Sequence, residues 1–207
     1  MALLSRDSRF AGQITGVGTT SGVRAVVGRW RTSPLGAFAD VMVETAAGHR
    51  LLLAPDEQVA ELVAATYTFD EVRIEPVRVT GSDVLAVRSP SLRLDVGVGR
   101  RTALGAALRL VPARVATAPA WTAVSDPVSR VLVPGVRTRG SAGGGRREYY
   151  GATDVHAVAW VTGSLEGADL GALAPVDPPC RFGFSSAPRR PVVTEVVTTV
   201  RLPSRPA

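Results

Sequence analysis

Chemistry is densest between positions 134 and 160, PGVRTRGSAGGGRREYYGATDVHAVAW. Arg137, Arg139, Arg146 and Arg147 bracket Gly143, Gly144 and Gly145. A glycine-rich loop can turn successive amides toward an anion, and guanidinium forks match carboxylate or phosphate oxygens two at a time. In the strand-like stretch that follows, Asp154, His156, Val158 and Trp160 alternate onto one face. A carboxylate two residues from an imidazole can orient it as a general base. This pattern gives His156, Asp154 and Glu148 catalytic roles, and makes Arg146, Arg147, Tyr150 and Trp160 ligand contacts. The same residues also suit a solvated hairpin loop with a half-buried histidine beside Trp160, since charged loops need no ligand.

Other stretches carry less. Gly16-Val17-Gly18-Thr19-Thr20-Ser21-Gly22 invites a dinucleotide reading, but β-branched Val23, Val26 and Val27 follow instead of a helix, so the run reads as a turn. Two histidines and one cysteine show no metal-ligand spacing, and no metal site or cofactor is expected. There is no G-x-S-x-G elbow. Cys180, beside Arg181, reads as buried packing rather than a nucleophile. The chain has 24 arginines and no lysine, which excludes a lysine Schiff base, a P-loop lysine and tethered pyridoxal phosphate. With asparagine also absent, the bias is what the GC-rich genome of a bacterium writes by default.

The elements that must position these residues are mostly strands. Ala39, Val41 and Val43 alternate with Asp40, Met42 and Glu44, Thr45 to Gly48 turns, and His49 to Ala54 returns. Val72–Glu75, Val84–Arg88, Leu92–Val98, Val155–Val161 and Pro191–Arg201 read as strands, as do Phe10–Thr15, Gly22–Trp30 and Ser129–Val133. One helix opens at Pro55-Asp56-Glu57 and ends near Tyr67, while Thr102–Leu110 suits either a short helix or a loop. The expected fold is mainly β, one closed barrel or curved sandwich of about ten strands with one or two short helices. Residues 1–207 read as a single β-rich domain, with 134–147 a Gly/Arg-rich loop and 203–207 a disordered tail.

Net charge is +6, and residues 104–207 hold twelve arginines against seven acids, so an anionic partner would meet the second half. Basic residues lack the aromatic interleaving of single-strand binders, and no recognition helix is visible, which argues against nucleic acid. No apolar run approaches a bilayer span. The three-residue apolar run between Met1 and Phe10 is too short for a signal-peptide core, and a cytoplasmic location is expected.

Two stretches are similar to acetoacetate decarboxylase-type sequences. Ser33-Pro34-Leu35-Gly36-Ala37-Phe38-Ala39-Asp40 resembles that family's Gly-small-aromatic-x-acid turn, and Gly145-Arg146-Arg147-Glu148-Tyr149-Tyr150-Gly151 resembles its Gly-Arg-Glu-x-x-Gly turn. Together they cover under a tenth of the chain. The resemblance implies a closed β-rich fold around an apolar pocket, with Arg147 and Glu148 carried over. Its lysine-imine decarboxylation has no residue to run on here. The expected function is binding of a small carboxylate- or phosphate-bearing organic molecule, with or without acid–base turnover. The alternative is a non-catalytic module that meets an acidic protein or nucleic acid through the basic second half. Nothing in the sequence opposes a homo-oligomer.

Overall fold

The computed structural model describes residues 7–133 and 135–203. The fold is mainly β, with 47% strand against 18% helix, and its backbone is a ten-strand sheet curled into a half-barrel.

In chain order the elements begin with β1 (Asp7–Thr19), β2 (Arg24–Thr32), β3 (Phe38–Glu44), β4 (Arg50–Ala54) and α1 (Glu57–Ala64). Then come β5 (Glu71–Ile74), β6 (Arg78–Thr80), β7 (Val84–Arg88), β8 (Leu92–Arg101), α2 (Ala103–Leu108), α3 (Ala113–Ala116) and α4 (Thr122–Leu132). The chain closes with β9 (Arg139–Ser141), β10 (Arg147–Leu165), β11 (Ala168–Asp169), β12 (Leu173–Ala174) and β13 (Val192–Arg201). The sheet order is β5-β4-β3-β2-β1-β13-β10-β8-β7-β6, with β9 and β11 beside β10 and β12 beside β1. All the described pairings are antiparallel except β4 with β5, which α1 connects as a crossover.

Strand alternation explains the packing. Val41, Val43, Leu51 and Leu53 from one end of the sheet order share a buried cluster with Val87, Leu94 and Val96 from the other, so this core fills the curl. Intervening residues on the same strands point to the opposite face. There Leu52 and Ala54 meet Val59, Ala60 and Val63 of α1. β4 is therefore buried on both faces, which is why its Leu51-Leu52-Leu53 run does not alternate. Asp56 caps α1 by accepting from the Val59 amide at 2.9 Å, a standard use of an acid at a helix start.

The β3–β4 hairpin and α1 form where the sequence pattern put them. Gly16 to Thr19 end β1, and the chain turns through Gly22 into β2 with no helix following. The segment Ser129–Val133, read as a strand, is instead the last turn of α4 and its cap. Its valines recur at helical spacing from Val124 onward, but Pro127 inside the helix and the β-branched content hide that period. Within 134–147 the described residues include the short strand β9 and a turn through Gly143–Gly145. Of the tail expected over 203–207, all but Pro203 lies outside the described residues, as do the first six residues. Among the described residues, no helix is long and apolar enough to cross a membrane.

Candidate functional site

On the face opposite the main core, β1, β2, β3, β13 and the start of β10 floor a cavity of about 70 Å³ roofed by Leu62, Val63, Thr66 and Tyr67. That is roughly half the ~150 Å³ of an apolar cavity known to take benzene. Its walls are mainly aromatic and aliphatic: Phe10, Trp30 and Phe38 meet as a ring cluster with centroids 5.9 to 6.5 Å apart. Into this apolar space come two carboxyl groups, Asp40 and Glu148.

Asp40 is 4% exposed, and its Oδ1 accepts from the Trp30 indole Nε1 at 3.0 Å. Burial pushes its carboxyl up to about 7 against the opposing pull of that one hydrogen bond; desolvation disfavours the charged form. Gly28 is paired directly with Asp40 across β2 and β3. A Cβ at Gly28 would collide with both Asp40 Oδ1 and Trp30 Nε1, so the missing side chain makes room for that bond.

Glu148 is 3% exposed. The Tyr67 and Tyr150 hydroxyls each lie 2.9 Å from its Oε2, and 2.6 Å from one another. Burial raises the Glu148 carboxyl, opposed by the hydroxyls of Tyr150 and Tyr67 and by the Arg146 charge. Both tyrosine hydroxyls are pushed well above their ordinary range, first by burial and then by the neighbouring carboxylate. Two buried polar atoms lack partners here. They are the Thr198 Oγ1, on the cavity wall, and the Arg146 Nη1, whose guanidinium bears on Glu148 by charge.

The residues expected from the sequence divide. Glu148 and Tyr150 line the cavity, and Arg146, buried, precedes them at the same alternation. Arg147 lies on the other face of the strand, exposed. Asp154 and His156 lie further along β10, past a register shift at Ala152/Asp154. Asp154 accepts from Arg101 Nε with both oxygens, at 2.9 and 3.0 Å, and no hydrogen bond joins it to His156. Burial lifts its carboxyl, but Arg101 and the Val155 amide outweigh this and hold it below the usual range. Further shifts at His156/Val158 and Val158/Trp160 break the expected shared face. Val158 turns into the core, and Trp160, 43% exposed, lies over Gly97, where a side chain would collide with the indole.

Nor do the four arginines converge on the glycine run. Arg137 is bonded to Asp126, Arg139 and Arg147 are exposed, and the Gly143 amide is donated to Thr66 O. Cys180 is buried against Val26, Val176 and Phe182, its thiol pushed up to about 11 by burial and then by Glu44.

The chain matches no protein-family model, no curated protein and no solved structure. The site therefore rests on its own geometry.

Trp30, Tyr67 and Thr198 carry no site signal in the sequence, and Asp40 appears there only as the acid that ends the stretch Ser33–Asp40.

Proposed function

We propose that this cavity binds a small organic molecule through a carboxylate or carbonyl oxygen and exchanges a proton with it. The observation that carries the reading is Asp40, a buried carboxyl with one protein hydrogen bond, facing a small aromatic cavity. Burial raises the Asp40 carboxyl to about 7, so below neutral pH it acts as a donor, as the Thr198 hydroxyl does from the neighbouring wall. Two donors aimed into an apolar space suit a ligand oxygen. Arg146, buried but not part of the cavity lining, adds a positive charge that bears on Glu148. A volume near 70 Å³ favours a short-chain carboxylate over a phosphate ester. A carboxyl titrating near neutral pH is matched to general acid–base work.

The two stretches similar to acetoacetate decarboxylases each supply one of the cavity's carboxyls, Asp40 and Glu148, which supports a related scaffold. Imine chemistry has no lysine, so the proton chemistry falls to the carboxyls. Calorimetric titration with acetate, propionate and butyrate tests the reading. Binding that weakens as pH rises past 7, and that Asp40→Asn makes independent of pH, is the expected outcome. Equal behaviour of wild type and Asp40→Asn would overturn it.

A further inference from the structure

Three arginines stand in one row across the sheet. Arg78 of β6 pairs directly with Arg88 of β7, and Arg88 pairs directly with Arg93 of β8. Directly paired residues share a face. One position along each strand, Val79, Val87 and Leu94 make the matching row that packs in the main core. The arginines therefore point outward, and all three are exposed. Like charges set opposite one another weaken a sheet, so this row gains from an anion that bridges it.

Only part of that charge is answered within the protein. Arg88 Nη2 donates to both oxygens of Asp95, at 2.7 and 3.0 Å, and its Nη1 donates to the Val87 and Leu94 carbonyls. Arg88 is thereby fixed and neutralised. Arg78 and Arg93, on either side of it, have no ion pair and no side-chain hydrogen bond among the described residues.

The three arginines line a groove of about 380 Å³ together with Pro76, Ser89 and Pro90. Its size falls within the ~300–1,000 Å³ of small-molecule sites. The Ser89 hydroxyl is already given to Glu75, so recognition falls to the free guanidinium forks. Arg78 and Arg93 start two strand spacings apart, roughly 10 Å, within reach of one anion held between them. A carboxylate would balance one of these charges. A phosphate monoester, at about −1.5 to −2 near neutral pH, balances both and offers oxygens to each fork. No aromatic ring lines the groove, so a nucleotide base would have nothing to stack on.

We propose that this groove is a second binding site, sharing no residue with the aromatic cavity. Its ligand is a small, non-nucleotide phosphate monoester whose phosphate is clamped between Arg78 and Arg93.

Titration with glycerol 3-phosphate at pH 7.5, followed by the phosphorus NMR shift, tests this. The wild type is expected to saturate at one site. Arg78→Gln and Arg93→Gln are each expected to weaken binding roughly tenfold, the effect of losing charge-assisted hydrogen bonds. Arg139→Gln removes the same charge from β9, outside the groove, and is expected to stay within about twofold of the wild type. Circular dichroism confirms the fold of each variant. Asp40→Asn alters only the aromatic cavity and is expected to leave this binding unchanged, so the two sites fail or stand separately. Absence of saturable binding overturns the proposal, as does equal weakening by all three arginine variants, which would reduce the effect to net charge. Equal affinity for inorganic phosphate would overturn the monoester in favour of the free ion. Binding of duplex DNA but not of glycerol 3-phosphate, lost in Arg93→Gln, would overturn it by assigning the row to a nucleic-acid backbone.

Discussion

The Tyr67 and Tyr150 hydroxyls lie 2.6 Å apart, and each is 2.9 Å from the same oxygen of Glu148. Both phenols donate to that carboxyl oxygen, and the three oxygens close a ring of short contacts. Burial raises the Glu148 carboxyl against the pull of the two hydroxyls and of the Arg146 charge.

Such a ring behaves as a unit. Tyr67→Phe and Tyr150→Phe should each cost about 1–3 kcal/mol, the usual penalty for orphaning a buried polar group. The double variant should cost clearly less than the sum, because the first substitution already opens the ring. Urea denaturation of the four proteins measures this, and additive losses would contradict it.

Asp40 makes stability depend on pH with a definite sign. Its carboxyl is raised in the folded protein from 3.8 to about 7, so the native state binds the proton more tightly than the unfolded chain. The stabilisation is complete below pH 4 and is lost as pH rises toward 7, with an upper bound of about 4 kcal/mol. Asp40→Asn cannot ionise and should flatten this decline. Guanidinium denaturation at pH 5 and pH 8 should show a smaller difference in the variant than in the wild type.

Asp126 is the pin of the helical layer. It is 1% exposed and engages Arg130, Arg137 and the Thr138 amide. Asp126→Ala should cost about 3 kcal/mol, as expected when partners of a buried carboxylate are left uncompensated. Hydrogen exchange should accelerate first across 122–139 and leave the sheet protected. Uniform acceleration through β1 and β13 would show that α4 is not a separate unit.

His156 and Arg147 are expected to be silent in the cavity. Neither lines it, and Asp154 is engaged by Arg101. His156→Ala and Arg147→Ala should bind small carboxylates within about twofold of the wild type, a difference of a few tenths of a kcal/mol. Glu148→Gln, which alters the tyrosine ring, should change binding by more than that.

The sequence showed the sheet far better than the site. Period-two alternation marks Ala39, Val41 and Val43 against Asp40 and Met42 because one face must stay apolar, and that constraint is local. The bulges in β10 are not local. They arise from pairing with β8 and β13, and they carry Asp154 and His156 away from the face of Glu148. Tyr67 meets Glu148 across 81 residues of chain, a proximity that no spacing encodes. α4 escaped notice for a different reason: its valines face outward, so a rule that puts apolar residues inside reads them as strand.

Proton uptake on ligand binding reports on the Asp40 carboxyl directly. Titration of the protein with butyrate at pH 7.5, in phosphate and in Tris, separates the heat of binding from the heat of buffer ionisation. The wild type is expected to take up a fraction of a proton, because a carboxylate entering the cavity favours the neutral acid at Asp40, and Asp40→Asn none. Binding with no buffer dependence, or identical uptake by the variant, would contradict it.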